Sequence, residues 1–185
     1  MFEGEGYSEE LNHELRHHLL ALKPLPEIQA AVDVFPLPSD CIGVHVRRGD
    51  HIDEFGESRD DHFMAVMRGV RKQWPGVTFF LATDVAATEC RFQDEFGDAL
   101  ISAPKNWAGR HQSEGGREGL IDLLLLSRTA AILGNIHSSF SQTAGHLGNK
   151  RMIVADERSA GVRLKNTCDA LAGCLSRGNL VNASA

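Results

Sequence analysis

Apolar and polar stretches alternate along the chain in a repeating series. Asp60 to Trp74 places Phe63, Met64, Met67 and Val70 three and four residues apart, the period of a helix with one buried face. Trp74-Pro75-Gly76 ends it. Cys41 to Val46 is short, apolar and β-branched, as a buried strand is, and Pro36 to Asp40 (PLPSD) supplies the turn before it. The same reasoning predicts strands over Val77 to Ala82, Ala99 to Ser102, Ala130 to Gly134 and Arg151 to Ala155. Helices are predicted over Ser8 to Leu22, with Ser8 as N-cap, and over Glu27 to Phe35, Val85 to Phe96, Leu120 to Arg128, Phe140 to Leu147 and Leu164 to Leu175. Lys105 to Gly119 is polar and glycine-rich and reads as a loop near a ligand.

Strands that alternate with helices predict an α/β fold with a mainly parallel sheet. In such sheets ligands bind at the carboxyl ends of the strands. The expected organisation is a helical lead-in over 1–40, a Rossmann-like domain over 41–176 and a frayed tail over 177–185.

Composition narrows the partners. The 185 residues suit one domain. A net charge of -6 lacks the basic footprint of a nucleic-acid binder, so an anionic ligand must be caught by a local cluster of positive groups. Cys41, Cys90, Cys168 and Cys174 form no CxxC pair and read as free thiols of a reducing cytosol. The N-terminus, MFEGEGYSEEL, has no apolar core of a signal peptide. The longest apolar run, Leu120 to Leu126, is interrupted by Asp122 and is far short of a membrane span. The expected location is cytoplasmic.

The candidate chemistry sits at predicted strand ends. His45-Val46-Arg47-Arg48-Gly49-Asp50 closes the first strand. Alternation sends His45 and Arg47 to one face and Val46 and Arg48 to the other. Adjacent arginines there need anionic partners, and guanidinium forks fit phosphate oxygens. Asp50 is placed to hold one of them. The alternative is a structural ion-pair network. Gly134-Asn135-Ile136-His137-Ser138-Ser139-Phe140-Ser141 closes the fourth strand and opens a helix, whose N-terminal N–H groups and hydroxyls suit an anion. Two such devices together imply a diphosphate. Thr83 and Asp84, after the second strand, fit either an N-cap pair or ligand contact. Asp122, inside an apolar helix, needs a partner; a guanine ring offers paired N–H donors, and a local pair is the other possibility. Trp107 fits a ligand cover or a core aromatic equally.

HVRRGD, FFLATD and IDLLLLSRTAAILGNIHSSFSQTAG occur in the order seen in the fucosyltransferase superfamily, which this segment, about Ile42 to Asn149, resembles. RRGD looks like the α1,2 branch; ATD and FSQ look more like the α1,6 branch. The resemblance implies the donor-binding, C-terminal half of a two-domain GT-B glycosyltransferase. It implies inverting transfer from GDP-fucose to a glycan acceptor, with no metal and no further cofactor. By the same resemblance, Arg47 contacts the β-phosphate, and Arg48 and Asp50 shape that pocket. His45 and Asp122 contact the nucleoside, Asp122 the guanine. Ser139, Phe140 and Ser141 hold the phosphates and pack the loop. Some α1,6-type relatives use an acidic general base after the arginine motif; HIDEFGESRDD offers Asp53, Glu54 and Glu57, of which Glu54 and Glu57 are the candidates. About 40 residues precede the motif where relatives carry an acceptor domain, so the acceptor side is expected to be absent, truncated or supplied by a separate chain. A catalytically inactive GDP-sugar-binding subunit is the alternative.

Three motifs lead elsewhere. His13-Glu14-Leu15-Arg16-His17 matches HExxH, but a zinc peptidase needs a third ligand and a cleft. Arg48-Gly49-Asp50 matches an integrin tripeptide, yet follows a buried strand. Asn182-Ala183-Ser184 is a sequon without a secretion signal.

Overall fold

The computed structural model describes residues 9–48, 60–107, 113–135, 138–155, 169–171 and 173–175. Its centre is a five-stranded sheet with the order β3-β2-β1-β4-β5. The strands are β1 (Ile42–Val46), β2 (Phe79–Thr83), β3 (Leu100–Ile101), β4 (Ala131–Gly134) and β5 (Met152–Val154). All four pairings are parallel. The helices are α1 (Glu9–Ala21), α2 (Pro26–Val34), α3 (Asp60–Gln73), α4 (Ala86–Phe96), α5 (Ser113–Arg128) and α6 (Ser139–Gly148). This is the Rossmann-like α/β fold expected from the alternation of periods.

Every residue of β1, β2 and β4 is buried, as parallel strands covered on both faces must be. Side chains alternate between two cores. Ile42, Val44 and Val46 meet Phe63, Met67 and Val70 of α3 and Phe92 and Phe96 of α4, with Leu171 and Leu175 joining that layer. On the other face Phe80, Ala82 and Ile132 pack with Val32 of α2, Leu125 and Leu126 of α5 and Ala144 of α6. The segment before the first strand thus contributes to the second core through Val32. Gly43 lies under α5: a Cβ there would stand 2.7 Å from Thr129 Oγ1 and 2.8 Å from Leu126 Cδ2. The missing side chain lets the helix settle on the central strand.

Strand and helix limits differ from expectation by one or two residues, with one exception. The segment expected to be a loop as far as Gly119 becomes helical at Ser113, so α5 has 16 residues. Glycine costs up to about 1 kcal/mol in a helix interior. The docked apolar half, Ile121 to Leu126, offsets that cost by extending an existing helix rather than nucleating a new one. Of the last expected helix, 169–171 and 173–175 are helical and the rest lies outside the described residues, as do Ser8 and the tail.

Gly43→Ala is expected to lower unfolding stability by about 1–3 kcal/mol, the usual cost of overpacking a close helix–strand contact. Urea denaturation measures it, and a midpoint equal to wild type would contradict the packing described.

Candidate functional site

The chain winds from β1 through β2 to β3 on one side, and from β4 to β5 on the other. The order therefore reverses between β1 and β4, and sheets of this kind bind ligands at such a point, at the carboxyl ends of the strands. Arg47 leaves β1 and Asn135 leaves β4 at this point. The Arg47 backbone N–H donates to Asn135 Oδ1 at 2.7 Å. Asn135 is fully buried, and its Nδ2 has no hydrogen-bond partner among the described residues.

Asp84, just past β2, ties both arginines. One carboxylate oxygen accepts the Arg48 backbone N–H at 2.7 Å, and the other lies 3.4 Å from Arg47 Nη1. The two guanidinium groups then part. Arg48 donates from Nε and Nη2 to Asp60 Oδ1 at 2.9 and 2.7 Å, and from Nη1 to the Arg47 carbonyl at 2.9 Å. Its Cζ stands 6.0 Å from the Phe63 ring centre. Asp60 is also reached by Arg91 at 3.2 Å, and Arg91 pairs with Asp61. Arg48 is therefore part of the α3–α4 scaffold, with 16% of its side-chain surface exposed, against 34% for Arg47. Arg47 is the more exposed of the two.

His45 is buried beneath the same end. Its ring stacks on Phe140 at 4.6 Å between centres, and its Nδ1 lies 2.7 Å from Ser141 Oγ and 3.4 Å from Ser138 Oγ. Burial, and then the neighbouring charge of Arg47, push the imidazole down to about 3, so it is neutral at pH 7. Ser138 caps α6 by accepting the Ser141 N–H at 3.4 Å. Gly134 makes room for this helix end, because a Cβ there would collide with the Ser141 side chain. Ser139 is exposed, Phe140 half-buried and Ser141 fully buried.

Thr83 is buried; its hydroxyl donates to the Val46 carbonyl at 2.8 Å and accepts the Val85 N–H at 3.4 Å. Val85 occupies the N-cap position of α4 without a side-chain cap, so Thr83 and Asp84 are not a capping pair: Thr83 closes a turn and Asp84 holds arginines. Asp122 pairs with Lys105 Nζ at 3.3 Å, with 6% and 3% of the two side-chain surfaces exposed. Lys105 also lies 5.8 Å from the Trp107 ring centre. Asp50, Asp53, Glu54 and Glu57 lie outside the described residues.

Asn135, Asp60 and Lys105 join the site without having been singled out in the sequence. Asn135 had a signal, an amide at the very end of an apolar strand. Asp60 reads only as an acidic residue in a first helical turn, and Lys105 only as loop polarity. Among the described residues no three His, Cys, Asp or Glu side chains converge as metal ligands, and no helix is long and apolar enough to cross a membrane.

The solved structures that this chain is similar to include fucosyltransferases. NodZ alpha-1,6-fucosyltransferase co-crystallised with GDP is 30% identical over 65% of this chain and 41% of that one, with a TM-score of 0.48. Fucosyltransferase NodZ from Bradyrhizobium is 30% identical over 64% of this chain and 41% of that one, at 0.45. A mutant of Arabidopsis thaliana FUT1 in complex with GDP is 14% identical over 72% and 33%, at 0.49. The chain spans less than half the length of each of these three. No family model matches the chain, and no curated protein does.

The His45 environment fixes a sign. An unfolded histidine protonates near 6.5, whereas His45 in the fold stays neutral down to about 3. The unfolded state then binds more protons through that window, so stability falls as pH drops from about 6.5 towards 3. Replacing His45 with Gln is expected to flatten this part of the profile, read as urea midpoints at pH 7 and pH 4.5. An unchanged slope would mean that His45 is not the neutral buried group described.

Proposed function

We propose that this chain binds GDP-fucose and forms the donor side of an inverting fucosyltransferase. The observation that supports the reading is Arg47, held at the switch point by Asn135 and Asp84, with a third of its side-chain surface exposed at the strand ends where the N-terminus of α6 also lies. A diphosphate spans two such positive elements, the guanidinium and the helix N-terminus. The sequence resemblance carried by HVRRGD, FFLATD and the segment through FSQ supplies the identity of the nucleotide and the sugar.

In this reading an acceptor hydroxyl attacks the anomeric carbon of fucose from the face opposite the diphosphate. The bond from that carbon to the β-phosphate oxygen breaks, and its electron pair leaves with GDP. Charge grows on the departing oxygen, and Arg47 stabilises it. The hydroxyl proton passes to a base, for which Glu54 and Glu57 are the candidates. Arg48 and Asp60 set the backbone from which Arg47 projects. Asp122 reads the guanine, with the glycan acceptor held by protein outside this donor domain.

Calorimetric titration with GDP, with UDP and ADP as controls, tests the donor site. Wild-type protein is expected to bind GDP selectively. Arg47→Ala is expected to weaken binding by about 30-fold or more, the usual cost of truncating one partner of a buried charge pair. No GDP binding by folded wild-type protein would overturn the reading. GDP release from GDP-fucose only when a glycan acceptor is present would establish transfer; binding without release would leave a donor-binding module.

A further inference from the structure

Asp122 and Lys105 are drawn together from separate elements. Asp122 lies one turn beyond Glu118 on α5, so both project towards the connection that follows β3. Glu118 accepts the Asn106 backbone N–H at 2.6 Å, and Lys105 Nζ meets Asp122 Oδ2 at 3.3 Å. Lys105 also donates to the Ala103 carbonyl at 3.4 Å. The connection is thus fastened to α5 at two consecutive residues, and its lysine is turned inward. A lysine with 3% of its side-chain surface exposed is unusual, because burying an ammonium is costly without a fixed anionic partner.

The pair lies at the ligand edge of the sheet. Phe80 is in register with Ile101, and Val46 with Thr83. One residue beyond the second pair, Asp84 stands beside Arg47, and Lys105 lies four residues past the end of β3. In the order β3-β2-β1, Lys105 follows β3 and Arg47 follows β1, so the two leave strands separated by β2. A nucleoside diphosphate bridges such a span, with its phosphates at Arg47 and its base beside Asp122.

The charge on Asp122 decides which base it accepts. An ionised carboxylate only accepts hydrogen bonds, and guanine offers N1–H and N2–H donors side by side. Adenine offers one donor, N6–H, beside the N1 lone pair. A carboxylate faces that lone pair unfavourably, whereas a protonated carboxyl, with one donor and one acceptor, matches it. We propose that Lys105 is a specificity-determining residue of the nucleotide site: its ammonium keeps Asp122 an acceptor-only group and so selects guanine over adenine. Lys105 acts through Asp122, not on the reacting atoms. The inference rests on the donor-site reading above and deepens it.

Calorimetric titration of the full chain with GDP and ADP, on wild type, Lys105→Met and Lys105→Arg, tests it, with thermal melts to confirm folding. Lys105→Met is expected to lose about 10-fold or more in GDP affinity while ADP affinity holds or rises, so the GDP-to-ADP ratio collapses. Lys105→Arg, which keeps the charge, is expected to restore the ratio. Should the methionine variant not fold, Lys105→Gln keeps a hydrogen-bond donor near Asp122 without the charge and reads the same ratio. A purely structural lysine would lower both affinities together, and a ratio unchanged from wild type would overturn the proposal while leaving the donor site standing. Wild-type protein that binds neither nucleotide would overturn the donor site itself, and this role with it.

Discussion

Where parallel strands end, the ladder of backbone hydrogen bonds stops, and the next buried N–H and C=O groups need other partners. In this protein the neighbouring strands supply them from side chains. Asn135 accepts the Arg47 N–H, Asp84 accepts the Arg48 N–H, and the Thr83 hydroxyl donates to the Val46 carbonyl. These ties run from β4 to β1 and from β2 to β1, so the backbone carrying both arginines is fixed on either side. The geometry of the switch point depends on them, because without them the chain after Val46 would have no fixed exit.

The two arginines share a sequence pattern but not a role. Strand alternation sends them to opposite faces, and each meets a different charge environment. Arg48 finds Asp60 on α3 and lies over Phe63, in the scaffold. Arg47 finds Asp84 at a longer distance and keeps a third of its surface open. A charge bound that fully serves stability, while one left partly solvated near a helix N-terminus attracts an anion. Among the described residues, Asp84 and Asp60 are the acids that orient the two arginines.

Buried polar groups elsewhere follow the same economy. His45 is kept neutral, stacked on Phe140 and bonded to Ser141, and so couples β1 to the first turn of α6. Gly134 is the condition for that coupling, because any side chain there would displace Ser141. Asp122 and Lys105 are both charged and are buried as a pair.

Much of this was legible in the residues themselves. Period two against period three and four marked the strands and helices, and the alternation of the two implied a parallel sheet. The placement of chemistry at strand ends followed from that, as did His45, Arg47, Asp84 and Asp122 as residues of interest, since a polar group beside an apolar run always needs an explanation. The start of α5 was not legible, because three glycines outweigh local helix propensity until the apolar half has docked on the sheet. Asp60 and Lys105 were hidden for a related reason: an acid or a lysine in a polar stretch looks solvated until folding brings its partner from a distant segment. The sequence by itself determined the elements, their order and the type of chemistry at their ends, because these depend on local period and residue type. Only the tertiary structure decided which arginine stays more exposed and which acid holds each of them, because ion pairing depends on distances between segments that no local pattern encodes.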